Sequence, residues 1–199
     1  GRDAADWLVR RGVTAFVLKY RLVLGGDDVV AEMDAKDPSE AEADMARIAP
    51  LARADGVASV RLVRERAAEF GIDTGRVGFI GFSAGGNVAL GAAFAEPEDR
   101  PDFVAPSYAT LSGIDLADAP TDGCPLFVVA ATDDGHGLAR DSVDLYARWL
   151  ELGLPAELHM YAAGGHGFGM RTQGLPSDSW IDRFGDWLSA AGLMELVTI

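Results

Sequence analysis

Two spacings of apolar residues alternate along this chain. Five short runs of consecutive apolar residues have the pattern of buried strands: 14–18, 77–80, 103–110, 125–131 and 156–161. Apolar residues recur every three or four positions, as on one face of a helix, in five other segments: 4–11, 57–67, 88–94, 140–152 and 178–191. Strands that alternate with helices in this way predict a mostly parallel sheet covered by helices on both faces.

The boundaries of these helices are marked by capping residues. Asp55 is a candidate cap for the helix that starts near Val57, and Gly71 can end it after Phe70. Two later helices are predicted to face inward through these side chains: Val143, Leu145, Tyr146, Trp149 and Leu150 in the first, and Trp180, Phe184, Trp187 and Leu188 in the second.

One segment departs from the alternation. Residues 22–54 are rich in Ala, Asp and Glu and have weak apolar periodicity, which indicates a variable acidic excursion with one helix around 39–48. Such an excursion could line or cover a binding pocket, or form a solvated acidic face.

Composition limits the class of protein. With 199 residues, the chain is long enough for one domain, over 1–199, with a substantial core. Acidic residues outnumber basic ones 31 to 17, and a formal charge of −14 argues against nucleic acid and membrane surfaces as partners. The single cysteine, Cys124, cannot form an internal disulfide. No apolar run approaches the roughly 18 residues that a membrane span requires.

The strongest chemical signal is the hexapeptide Gly-Phe-Ser-Ala-Gly-Gly at 81–86. It matches the G-x-S-x-G nucleophile elbow, a tight strand-to-helix turn that lifts a serine hydroxyl above the sheet. The residues two before and two after Ser83 are expected to be small so that strand and helix can pass closely. A strand before the motif and a helix after it are the context that the motif requires, whereas a serine that only caps a helix needs no flanking glycines.

A serine nucleophile needs a base and a residue that orients the base. Of the three histidines, His166 lies in a glycine-rich loop directly after the last strand and is favoured as the base. His136, in a loop after the preceding strand, is the alternative, and His159 lies within a strand, where a structural role is expected. Asp133 and Asp134 both follow the strand at 125–131, so either could supply the acid, and one is expected to bond its own backbone instead.

These residues resemble the α/β-hydrolase superfamily, and in detail small esterases of the acetyl-xylan-esterase and carboxylesterase type. The resemblance covers nearly the whole chain and rests on three stretches: Ala15–Leu22, Phe70–Gly86 and Leu145–Phe168. It implies the catalytic order serine, acid, histidine, and it selects Asp134 as the acid. It also implies a serine esterase that acts on short acyl esters through Ser83, Asp134 and His166, with the backbone N–H of Ala84 as one oxyanion donor.

The resemblance further implies that no metal or organic cofactor is needed and that the substrate is a small-molecule or acylated-carbohydrate ester. In that family a His-Gly-Gly loop supplies the second oxyanion donor and precedes the first helix. Here it would fall before Gly1, so we expect the opening strands and that loop to lie outside this sequence. A cytoplasmic location is slightly favoured and secretion stays open, because a leader would also precede Gly1. The oligomeric state is not readable.

Three other functions fit parts of the pattern. A serine peptidase of the prolyl-oligopeptidase type has the same elbow and the same order of acid and histidine. A non-catalytic binding protein could retain the fold, although Ser83 and His166 are both present. Dienelactone-hydrolase or lyase chemistry is the least favoured alternative, because dienelactone hydrolases generally use a cysteine nucleophile and Cys124 is far from the elbow in sequence.

Overall fold

The computed structural model describes residues 1–22 and 36–194. Its centre is a four-stranded parallel sheet in the order β1-β2-β3-β4, so each strand pairs with its neighbour in sequence. The strands are Gly78–Phe82 (β1), Phe103–Ser107 (β2), Leu126–Ala131 (β3) and Ala156–Tyr161 (β4). All four strands lie within runs predicted from the sequence or extend them by one or two residues.

Helices connect and cover these strands. Their bounds are Arg2–Val9 (α1), Pro38–Glu65 (α2), Ala67–Phe70 (α3), Ala84–Ala93 (α4), Ala139–Glu151 (α5) and Trp180–Ala190 (α6). The α3 helix ends at Gly71, whose φ of 64° is the left-handed conformation predicted for a terminating glycine. Short 3₁₀ turns occur at Pro97–Asp99, Leu116–Asp118 and Pro176–Ser179.

The sheet has an apolar cluster on each face, as alternating side chains of buried strands require. On one face Phe127 and Val129 of β3 pack with the aromatic stripe of α6, in which Trp180 and Phe184 are fully buried. On the other face Leu126 and Val128 pack against α4 and α5. The predicted sheet with helices on both sides is therefore present, and an apolar core covers each of its faces.

The structure corrects the predicted helix around 39–48. Instead of a short acidic helix followed by one capped at Asp55, one helix of 28 residues runs from Pro38, with Asp37 as its cap. Asp55 lies inside it and binds the backbone N–H and guanidinium of Arg21. The remaining part of the predicted excursion, at 23–35, lies outside the described residues.

The α5 helix also differs from prediction in what it buries. Leu145 and Trp149 are in the core, but Val143 and Leu150 are 41% and 54% exposed. Residues four apart lie on one helical face, so the buried stripe follows 145 and 149 and leaves both flanks in solvent. The sequence pattern overestimated the width of the apolar face.

The run at 14–18 is not a strand in this structure, contrary to prediction. No strand is assigned over residues 13–20, and a cleft of about 1150 Å³ lies between this segment and β1. Within the described residues, β1 has one ladder partner, β2, so its other edge faces the cleft. A strand needs backbone hydrogen bonds to a neighbouring strand. The cleft keeps the segment at 13–20 from forming such bonds with β1. In the described ranges, no helix has the length and apolar character to cross a membrane.

Candidate active site

Ser83 lies at the turn between β1 and α4. It is the residue before the first turn of the helix and has a φ of 54°, a conformation that side-chain-bearing residues rarely adopt. Its backbone N–H is bonded to the carbonyl of Ser107, 3.0 Å away, so the turn is tied to the neighbouring strand. A serine held in a strained turn between strand and helix has the geometry of a nucleophile elbow.

Two glycines make this turn sterically possible. A Cβ at Gly81 would lie 2.0 Å from the carbonyl oxygen of Gly85, and one at Gly86 would lie 2.5 Å from the Cβ of Ala109. A Cβ at Gly85, by contrast, would meet nothing closer than the Tyr20 hydroxyl at 3.7 Å. The tight positions are therefore two before and three after Ser83, whereas the sequence argument placed them two before and two after.

The loop after β4 brings His166 over this turn. The Nε2 atom of His166 is 2.8 Å from Ser83 Oγ, and its Nδ1 atom is 2.9 Å from Asp134 Oδ2. The Asp134 side chain is fully buried, and that of His166 is 19% exposed. A carboxylate at Nδ1 favours the tautomer with its proton there, which leaves Nε2 free to accept the serine proton. Three residues predicted from the sequence thus form one hydrogen-bonded chain.

Both neighbouring carboxylates at the end of β3 contact the histidine loop. Asp134 accepts the backbone N–H of His136 through Oδ1, at 2.8 Å, while its other oxygen faces His166. Asp133 accepts the backbone N–H of Gly165, at 2.7 Å. The sequence argument expected one aspartate to bond its own turn and the other to orient the base. In the structure Asp134 does both, and Asp133 holds the loop that carries His166.

The loop itself depends on alternating glycines. Gly165, Gly167 and Gly169 all have positive φ values, of 67°, 72° and 52°. Between them, the Phe168 side chain is 1% exposed, and the indole of Trp180 donates a hydrogen bond of 2.7 Å to the Gly169 carbonyl. Glycine adopts these conformations without steric cost, which allows the chain to fold tightly around His166.

The other two histidines lie in different surroundings. His136 is exposed, and its ring centroid is 4.4 Å from that of His166, so it lies on the rim of the site without replacing His166. His159 faces Glu157 on β4, with 2.6 Å between Nε2 and the carboxylate. The sequence preference for His166 over both agrees with its contact to Ser83.

Cys124 lies at the end of the sheet opposite to this site. It lies just before β3, at the amino end of the strand, and is 7% exposed. Burial raises the pKa of its thiol to about 12, which disfavours the nucleophilic thiolate. Ser83, at the opposite end of the sheet, is therefore the nucleophile candidate. Among the described residues, no group of three or more His, Cys, Asp or Glu side chains could hold a metal ion.

Sequence reasoning missed Tyr108, which lies directly after β2. Its ring packs edge-on against His166, with centroids 5.2 Å apart, and it is 3% exposed. The available signal was its place at the carboxyl end of a predicted strand, on the same edge as Ser83 and Asp134. The predicted strand ran on to Thr110, which concealed that signal.

Helix α4 opens with the predicted oxyanion donor. Ala84 is its first residue, and the first backbone N–H groups of a helix have no partner within the helix. The buried side chain of Asn87 fixes this helix, because its amide donates to the carbonyls of Thr110 and Ser112. The amide oxygen accepts from Arg53 of α2.

Known proteins share this architecture. The chain is 22% identical to an acetyl ester-xyloside bifunctional hydrolase from Caldicellulosiruptor lactoaceticus, with a TM-score of 0.74 over 97% of this chain and 77% of that one. It is 18% identical to a carboxylesterase from Lactobacillus plantarum, with a TM-score of 0.75 over 98% and 80% of the two chains. An alpha/beta hydrolase enzyme from a deep-sea metagenome has a TM-score of 0.59 at 21% identity, over 71% of this chain and 64% of that one. These likenesses show an α/β-hydrolase fold.

Sequence comparison gives a consistent assignment. The chain is 25% identical to an acetylxylan esterase of Xylanibacter ruminicola, over 96% of this chain and 42% of that protein. It therefore spans less than half the length of this curated relative. The family model of the dienelactone hydrolases matches residues 2–183, nearly the whole chain. The chain belongs to the dienelactone hydrolase family.

Proposed function

We propose that this protein is a serine esterase that hydrolyses short acyl esters through an acyl-enzyme. The observation that carries the proposal is the hydrogen-bonded chain from Ser83 Oγ through both nitrogens of His166 to the buried carboxylate of Asp134. A hydroxyl in contact with an oriented imidazole can be activated as a nucleophile. Dienelactone hydrolases generally use a cysteine at this step, whereas the elbow of this chain carries Ser83.

Each residue has one role in the proposed reaction. His166 removes the Ser83 proton as Oγ attacks the ester carbonyl, and it then returns the proton to the departing alcohol. Water subsequently attacks the acyl-enzyme, with His166 again as the base. Asp134 keeps the imidazole in the required tautomer and stabilises its charged form. The N–H of Ala84, at the start of α4, donates to the oxyanion of both tetrahedral intermediates.

The substrate class is proposed from the relatives. Two of them are named for acetyl ester or acetylxylan hydrolysis. We therefore expect acetyl and other short acyl groups on a small-molecule or carbohydrate alcohol. The His166 side chain is 19% exposed, so we expect the departing alcohol to lie on its solvent side, where a large alcohol could be accommodated.

Hydrolysis of p-nitrophenyl acetate by the full-length protein tests this function. The Ser83→Ala variant is expected to lower kcat by about 10⁶-fold, to the residual level of the binding site alone. A Ser59→Ala variant is a matched control, because Ser59 lies on α2 and its hydroxyl donates to the carbonyl of Gly56. Turnover that survives Ser83→Ala would remove Ser83 from its role. A second assay with an N-acylated prolyl p-nitroanilide separates esterase from peptidase chemistry, since a peptidase of the prolyl-oligopeptidase type would cleave this anilide efficiently.

The cleft beside β1 supports a second proposal, that these residues are the catalytic core of a longer protein. Its walls include exposed apolar side chains, such as Phe16 at 49% and Leu62 at 51%, and the open edge of β1. We propose that additional strands occupy this cleft and bring the second oxyanion donor, whose loss would cost about 10²–10³-fold in rate. Residues 1–199 expressed alone should then be aggregated or nearly inactive, and a soluble, fully active product would refute this.

A further inference from the structure

The backbone of Tyr108 is strained. Its φ is 36°, and among the described residues only Ser83 shares a positive φ without being glycine. Such a conformation costs about 1–3 kcal/mol for a bulky residue and persists only where the surroundings enforce it. Here the Tyr108 N–H donates to the carbonyl of Val129 on β3, at 2.7 Å, which turns the chain sharply at the end of β2. This backbone conformation places the aromatic side chain of Tyr108 against His166.

The ring of Tyr108 contacts the two side chains of the histidine loop. Its centroid is 5.2 Å from that of His166, with 70° between the planes, and 4.8 Å from that of Phe168, with 62° between the planes. Phe82, at the end of β1, and Tyr108 also have centroids 6.0 Å apart. The tyrosine ring therefore bridges the strand that carries the nucleophile and the loop that carries the base.

Its hydroxyl reaches the far end of the same loop. Burial raises the pKa of Tyr108 to about 12, so the phenol stays neutral, and its oxygen lies next to the backbone of Gly169. The Gly169 carbonyl is held by Trp180. The loop is therefore fixed at its start by the Asp133 carboxylate and at its end by the Trp180 indole, and the Tyr108 ring packs against His166 between these anchors.

The hydrogen bonds of His166 do not fix its ring completely. Bonds at Nδ1 and Nε2, together with the covalent bond to Cβ, hold the imidazole only as firmly as the loop holds the backbone of His166. Packing against the ring limits the motion that the loop allows. Three glycines with positive φ give the loop little stiffness of its own, and the neighbouring His136 ring is exposed. Tyr108 is the buried aromatic side chain in contact with the imidazole.

We propose that Tyr108 is a positioning residue for His166, and that its strained backbone is retained because it puts the aromatic ring against the imidazole. This inference rests on the proposed esterase function. Tyr108 acts through His166 and takes no proton itself, since its pKa of about 12 keeps the phenol protonated at neutral pH. The essential part is the aromatic ring, which makes the contact with the imidazole.

Substitution in the intact enzyme tests the proposal. Tyr108→Leu should lower kcat for p-nitrophenyl acetate by about 10²-fold with little change in KM, as expected when a catalytic group is displaced by about 1 Å. Tyr108→Phe keeps the ring that contacts His166 and should keep kcat within about threefold. The rate at which paraoxon labels Ser83 should fall in parallel with kcat, because it depends on the same activation by His166.

The matched control is Phe127→Leu. Phe127 is 1% exposed and packs with Phe184 and Trp187 in the same apolar cluster, away from His166. It should lower the thermal midpoint about as much as Tyr108→Leu and leave kcat unchanged. If Tyr108→Leu does not fold, Tyr108→Met takes its place.

Three outcomes overturn the inference: equal kcat in Tyr108→Leu and Phe127→Leu, a loss in Tyr108→Phe as large as in Tyr108→Leu, or unchanged paraoxon labelling. The proposed esterase function is refuted by a different result, namely activity that survives the Ser83→Ala substitution.

Discussion

Replacing Asp134 by asparagine separates the two hydrogen bonds that its carboxylate accepts. One oxygen is 2.9 Å from His166 Nδ1, and the other accepts the His136 N–H at 2.8 Å. The side chain is completely buried, so water cannot replace either bond. A carboxylate accepts at both oxygens, whereas an amide accepts at only one and donates at the other. No orientation of the asparagine can therefore reproduce both contacts.

Each orientation has a defined cost. With the carbonyl towards His166, the amide NH₂ faces the His136 N–H, and two buried donors in contact cost about 1–3 kcal/mol. With the NH₂ towards His166, Nδ1 must accept, which moves the imidazole proton to Nε2. That nitrogen then faces Ser83 with a proton and cannot take another. The second orientation avoids the clash, so we expect kcat to fall by about 10⁴-fold with KM nearly unchanged.

Asp133→Asn is the matched control for this experiment. It makes the same change of charge at the adjacent position, but Asp133 accepts one N–H, from Gly165, and an asparagine carbonyl can accept the same bond. We expect less than about tenfold loss of kcat. Steady-state kinetics with p-nitrophenyl acetate and a circular dichroism spectrum of each variant provide the measurements. Asp134→Asn activity within tenfold of wild type, or equal losses in both variants, would refute the reasoning.

Other predictions concern the elbow and the core. Gly81→Ala should lower the thermal midpoint by the equivalent of about 1–3 kcal/mol or more, because its Cβ would overlap the Gly85 carbonyl, whereas Gly85→Ala should be tolerated. Calorimetry compares the two, and equal midpoints would contradict this. Cys124 should react with dithionitrobenzoate only after unfolding, since its thiol is buried with a pKa of about 12; rapid labelling of the native protein would be inconsistent. Trp149→Phe should cost about 1–2 kcal/mol in urea unfolding, because it removes the indole bond of 2.9 Å to the Cys124 carbonyl; an unchanged midpoint would argue against that bond.

Elements whose partners are present in the sequence were predictable from it. The runs at 77–80, 103–110, 125–131 and 156–161 became neighbouring strands, because a buried strand carries its apolar signal in its own residues. The segment at 14–18 has the same signal and forms no strand, since a strand also needs a partner along its edge. Helix α2 shows a different case: the sequence predicted one helix around 39–48 and another from Val57, but a single helix continues through Pro50 to Glu65.

The candidate site divides in the same way. Ser83 and His166 were identifiable because elbow and loop are local glycine patterns. The end of a strand offered Asp133 or Asp134 as the acid, and the family resemblance selected Asp134. Tyr108 was not identifiable, since its role depends on a backbone angle and on contacts with residues about sixty positions away. The division of work between Asp133 and Asp134 was equally out of reach, because both carboxylates occupy equivalent places in the sequence.

The two aspartates after β3 make the loop at 164–169 respond as a unit. Asp133 accepts a hydrogen bond from the backbone N–H of Gly165, and Asp134, the next residue, binds the imidazole of His166. Any opening that frees the Gly165 amide therefore pulls the imidazole away from its own acceptor. Hydrogen–deuterium exchange at this one amide should thus report, without any substrate, how often the site comes apart in the resting protein.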